Sequence, residues 1–436
     1  MGRIPTRKAG ASCGLLLSLL LGVQCTRPDD RQGKTRIRFS FWGSFVELQL
    51  WEEMKALHEE RHPEVVVDLQ YSPGEYHRKL RLQFISKTAC DVIMVDDEFF
   101  PTYCSAKHLL DLEPFIEERT EWLRLEDFLP TSIESFTYKG TRYAMPWDGF
   151  SMLVFYNKDL FDREGLPYPE DNWTWQEFRE LSRALTKDLD GDGKIDQFGC
   201  NLGFDWLSVE PLIWAYGGHI LTKDRSRCAM QSPETIAALQ FIYDLKFEDR
   251  VMPGTGELSG MATEIQILTG RIAMLQAAAY ILNNMRDVEA MRWDVVHVPS
   301  GPAGKATRVS WDGLAVYAHS DHPREAWQFI ETVLSDEGQR LLGSLQRAMP
   351  VRRSAVLSHY VTEDTPQKEE KFLEAMEYGR PTPITEAYGE MQIVMANELE
   401  RLSLGSSTPA ETAAALQRKV DEILADYRTL SMGEDQ

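Results

Sequence analysis

The chain has no CxxC pair. That removes the usual signature of redox dithiols and of cysteine-built zinc sites. It also lacks basic excess: 47 Lys and Arg face 68 Asp and Glu, for a formal net charge of -21. A protein this acidic is a poor partner for nucleic acid or for an anionic membrane surface. Beyond the first 24 residues no apolar run is long and charge-free enough to span a bilayer. Internal repeats and low-complexity blocks are absent. Residues 301–307 imitate a phosphate-binding loop at Gly304-Lys305, but the leading glycine is missing and Ala306 stands where a hydroxyl residue belongs.

At 436 residues, 43% of them hydrophobic, the chain is too long for one ordinary core, and two lobes are expected. The first 24 residues stand apart. Arg3, Arg7 and Lys8 precede a leucine-rich run over 15–21, and Cys25 follows closely. This is the layout of an export signal; its removal would take away three cations and no anions. Residues 25–34 are polar and read as a tether. Cys90, Cys104, Cys200 and Cys228 are then available for up to two disulfides, in any of three pairings.

Alternation over 36–42 predicts a strand. An apolar face of Leu48, Trp51, Met54 and Leu57 predicts a helix over 47–61. Strands over 65–69 and 91–95, with a helix over 76–86 between them, continue a βαβ pattern. Thr174 and Glu177 have the spacing of a capping box, and Ser232-Pro233 opens another helix. Further strands are expected over 293–298 and 313–317, and helices over 323–334 and 410–427.

Tryptophan is abundant, and several of the 11 adjoin turn residues. Trp147-Asp148-Gly149 and Trp311-Asp312-Gly313 each set a flat ring beside a carboxylate. That pairing suits a sugar, whose C–H faces stack on aromatics and whose hydroxyls need acceptors. Asp96, Asp97 and Glu98 end the third strand, where such sheets bind ligands. Asp188, Asp190, Asp192, Lys194 and Asp196 fall at positions 1, 3, 5, 7 and 9 of a calcium loop. Gly199 replaces the glutamate expected at position 12. Any calcium here would be structural, and no cofactor is required.

In order and spacing, residues 39–43, 91–96, 156–161, 173–178, 215–218, 270–274, 298–302, 326–330 and 349–352 resemble the extracellular solute-binding proteins of bacterial ABC importers, in particular the family that binds sugars and oligosaccharides. The resemblance implies an α/β, two-lobed periplasmic-binding-protein-like fold (type II). The ligand cleft lies between lobes joined by hinge segments near 147–152, 311–315 and 378–381. The expected lobes are 35–147 plus 313–378 and 150–312 plus 382–430. The implied ligand-binding residues are Trp42, Asp97, Trp147, Asp148, Trp214, Tyr280, Trp311, Asp312 and Arg352. Cys25 becomes the lipidation site, anchoring a monomeric, exported receptor to the membrane. Its partners are a small carbohydrate and the transmembrane subunits of an ABC permease, with no nucleic acid. The rival expectations are a secreted glycan-active enzyme, or a same-fold receptor for a non-sugar solute or a sensory partner.

Overall fold

The computed structural model describes residues 33–434, except 255, 259, 283, 284, 286–290, 346–348, 357 and 359–369. The expected export signal, residues 1–24, and the expected lipidation site Cys25 lie outside the described residues. Among the described residues no helix is long and apolar enough to cross a membrane.

Among the described residues eleven strands are formed: β1 Thr35–Phe41, β2 Val65–Tyr71, β3 Val92–Asp96, β4 Thr137–Tyr138, β5 Thr141–Arg142, β6 Ala144–Asn157, β7 Phe198–Asn201, β8 Ile272–Ala278, β9 Trp293–Val296, β10 Val309–Val316 and β11 Met349–Pro350. Nine of them make one sheet in the order β2-β1-β3-β10-β6-β8-β7, with β9 and β11 also paired to β6. As the βαβ pattern predicts, β1 is parallel to both β2 and β3. The centre departs from an all-parallel sheet, because β10 runs antiparallel to both β3 and β6.

The long strand β6 belongs to two halves. Residues Ala144 to Ser151 pair with β10, whereas Met152 to Tyr156 pair with β8. Two hydrophobic cores form accordingly. The first gathers Phe39, Trp51, Trp147, Trp311 and Phe329; the second gathers Trp173, Trp175, Trp214, Phe241 and Leu416. The fold is the two-lobed α/β arrangement.

Helix placement follows local chemistry. Phe45–Arg61 buries Leu50, Trp51 and Met54 against the first sheet half. In Trp175–Leu185 the Thr174 hydroxyl accepts from the Glu177 amide while the Glu177 carboxylate accepts from the Thr174 amide, so the predicted capping box is complete. The last helix, Pro409–Glu434, extends well past the span expected from sequence. Cys90, Cys104, Cys200 and Cys228 are all buried free thiols, so none of the pairings left open by the sequence is formed. Burial pushes the Cys90 thiol up to about 11 and the Cys200 thiol to about 12, which leaves both unreactive.

Candidate functional site

The two W-D-G triplets meet. Trp311 stands opposite Gly149, and Asp312 opposite Asp148, across the β10–β6 pair. The register shifts between Asp312 and Gly313, a bulge that kinks the pair beside the lobe crossing. Gly149 is required there: a Cβ would lie 2.3 Å from Cε3 of Trp311. Both indoles are enclosed in the first core, Trp311 fully and Trp147 against Trp51 at 4.6 Å between ring centroids.

Asp148 and Asp312 stand opposite each other across the two strands. Burial holds both well above the usual carboxylate range, and for Asp312 the neighbouring carboxylates add to this. Two buried carboxyls side by side resist ionising together. On its other side Asp312 faces Asp96, which His77 Nε2 meets at 2.9 Å. Trp42, half-buried at the end of β1, packs on Tyr76 and His77.

Beside this row lies a polar cluster that joins the lobes. Arg308 immediately precedes β10, and its guanidinium donates to Glu98, just past β3. It also lies 3.9 Å from Glu210, on the helix Trp206–Ala215 of the second core. Thr382 donates to the other side of this pair, its Oγ1 lying 2.7 Å from Glu210 Oε2. Further contacts close the same edge. Phe99 meets Tyr388 edge-on at 5.8 Å, and the hydroxyls of Thr102 and Tyr138 both donate to Glu386.

Several buried polar atoms in this cluster have no hydrogen-bond partner: Asp97 Oδ1, Glu210 Oε1, Arg308 Nε and Nη1, and Ser310 Oγ. Arg308, Ser310 and Asp312 alternate along the strand direction and so share one face. Burial lifts Asp97 well above the ordinary range, with Arg308 opposing. It lifts Glu210 to about 7 against the pull of Arg308 and Thr382. Burial works against the charge on Arg308, but Glu98 and Glu210 outweigh it and keep the guanidinium protonated. Buried donors and acceptors without protein partners are costly, and a concentration of them on one face is a place where a polar ligand or ordered water can bind.

The remaining sequence candidates are dispersed. Trp214 is 5% exposed inside the second core. Tyr280 is 48% exposed on a short turn after β8, edge-on to Phe150 at 6.5 Å. The Arg352 guanidinium donates to the Leu334 carbonyl and covers the ring of Phe128 at 4.7 Å, inside the first lobe.

The Asp loop folds on itself. Asp188 accepts from the amides of Gly191 and Gly193, Asp190 from Asp192, Asp192 from Lys194, and Asp196 from Leu189. Oxygens of Asp188, Asp190 and Asp196 still come within 4.8 Å of one another, a spacing that a cation could bridge. Gly199 cannot become the missing glutamate, because its Cβ would lie 1.9 Å from the Ser182 carbonyl.

Sequence reasoning missed Arg308 and Glu210. A signal was present for each: Glu210 is the lone charge in Leu207-Ser208-Val209-Glu210-Pro211-Leu212-Ile213, and Arg308 interrupts Ala306-Thr307-Val309.

The bacterial extracellular solute-binding proteins match this chain over residues 42–340, and the chain belongs to that family. It is 20% identical over 381 residues to a binding protein of Brucella abortus, covering 86% of this chain and 89% of that one. Among solved structures it is similar to an ABC substrate-binding protein of Listeria monocytogenes in complex with cycloalternan. The TM-score is 0.84 at 24% identity, over 90% of this chain and 99% of the other. It is also similar to maltose-bound MalE3 of T. maritima, with a TM-score of 0.77 at 21% identity, over 89% and 100%.

Proposed function

We propose that this protein is the substrate-binding receptor of an ABC importer. It captures a sugar or oligosaccharide between its lobes and delivers it to the permease. The observation that carries the reading is the cluster of unsatisfied donors and acceptors at Asp97, Glu210, Arg308 and Ser310. A sugar hydroxyl both donates and accepts, so a polyhydroxy ligand fits a mixed set of this kind. Its contacts come from both lobes, so binding would favour the closed form, which is what a permease can read.

In this reading the lobes are 35–147 plus 313–378 and 150–312 plus 382–430. The ligand meets Asp97 on one lobe, Asp148 and Asp312 at the crossing and Glu210 on the other lobe, with Trp42 and Tyr280 as aromatic surfaces near the cleft. The export signal and Cys25 support a lipid-anchored location at the outer face of the cytoplasmic membrane. Kinship to binding proteins and to sugar-complexed neighbours supports a receptor over a glycan-active enzyme. A thermal-shift screen over mono- and oligosaccharides, polyols and other solutes tests the reading. A carbohydrate should raise the melting temperature and be recovered intact. Recovery of a cleaved product, or stabilisation only by non-sugar solutes, would overturn it.

A further inference from the structure

The charges in the cleft do not balance. Asp96 has His77, and Asp148 and Asp312 stand opposite each other. Asp97, Glu98 and Glu210 remain, and Arg308 is the cation acting on all three. Asp97 is 2% exposed and Glu210 is fully buried, and each keeps an oxygen with no hydrogen-bond partner. A neutral hydroxyl can satisfy such an oxygen as a donor, but in a dry site burial then favours the protonated, uncharged carboxyl, and a cation reverses that preference. An ammonium supplies three donors together with a positive charge that lets the buried carboxyls ionise. The unpartnered Nε and Nη1 of Arg308 require acceptors, which hydroxyl or ring oxygens provide and a bare amine does not.

We infer that the ligand is a sugar carrying a positively charged nitrogen, with the amine held by Asp97 and Glu210 and oxygens of the same molecule held by Arg308. This deepens the receptor reading and rests on it. Arg308 and the two carboxylates then discriminate together: an acidic sugar meets excess negative charge, and a simple alkylamine leaves the guanidinium unsatisfied.

The test is calorimetric titration of the mature chain with three matched sets of α1,4- and β1,4-linked oligosaccharides. The sets carry a free 2-amino group, its N-acetyl form, or the 2-hydroxyl. The aminated set is expected to bind at least about 10-fold tighter than either counterpart at neutral pH and low salt. Glu210→Gln and, as a second variant, Asp97→Asn should each cut that preference to about 3-fold or less. If the hydroxyl or N-acetyl set binds as tightly, the receptor reading stands and this inference falls. An amine preference unchanged in both folded variants overturns the assignment of the residues. Binding of none of the three sets overturns the receptor reading and the inference with it.

Discussion

Asp188, Asp190, Asp192 and Asp196 stand on a mostly exposed loop, whereas Asp97, Glu98 and Glu210 are gathered between two lobes. Both groups are acidic, and in the sequence the loop is the more conspicuous. They differ in how their oxygens are satisfied. In the loop each aspartate accepts from nearby backbone amides, so the segment holds its shape from its own hydrogen bonds. In the cleft, oxygens and nitrogens are withdrawn from water and left without partners. Carboxylate spacing identifies a turn; burial without satisfaction identifies a place where another molecule belongs.

The comparison is broken most severely at Arg308. Arg308→Met leaves Glu98 and Glu210 facing each other without their cation. Urea unfolding at pH 7.5 should show a loss of about 3 kcal/mol or more. A loss below about 1 kcal/mol would mean that the guanidinium is not the keystone of the cleft.

Glu210 sharpens the contrast through pH. Its folded pKa, about 7, lies above its ordinary value of 4.5. The folded protein therefore binds this proton more tightly than the unfolded chain does. The resulting stability is complete below pH 4.5 and is lost as pH rises through 7, by about 2–3 kcal/mol without ligand. Glu210→Gln should flatten that segment of the curve. An unchanged slope would remove Glu210 from the account. His58 acts in the opposite sense, because burial lowers its pKa to about 4. Its contribution is complete above pH 6.5 and lost as pH falls through 4, so it must be subtracted using the Glu210→Gln difference.

The smallest effect belongs to the loop. Asp188→Asn should move the melting temperature by no more than about 2 °C in EDTA. Any rise produced by millimolar calcium should vanish in the same variant. A calcium-dependent rise that survives the substitution would show that the ion binds elsewhere.

Much of the fold was legible because periodicity reports burial directly. Helices Tyr76–Ser86 and Pro323–Leu334 have the limits that sequence predicts, and the capping box of Thr174 closes as its spacing requires. The two W-D-G triplets were legible as a pair, and they lie side by side in the sheet. Their indoles, however, face the core, since alternation along a strand cannot say which face the cleft occupies. The centre of the site was hidden for a different reason. Glu98, Glu210 and Arg308 are about a hundred residues apart from one to the next. Only the crossing of β6 and the insertion of β10 bring them together, and no local pattern records that.

The position of β10 also sets a timetable. It lies between β3 and β6, yet its residues follow the entire second half of the sheet in the chain. A polypeptide stopped before Val309 lacks the middle strand of its own first lobe. The N-terminal half therefore emerges from the ribosome with an open seam and must wait for about three-quarters of synthesis before it can close.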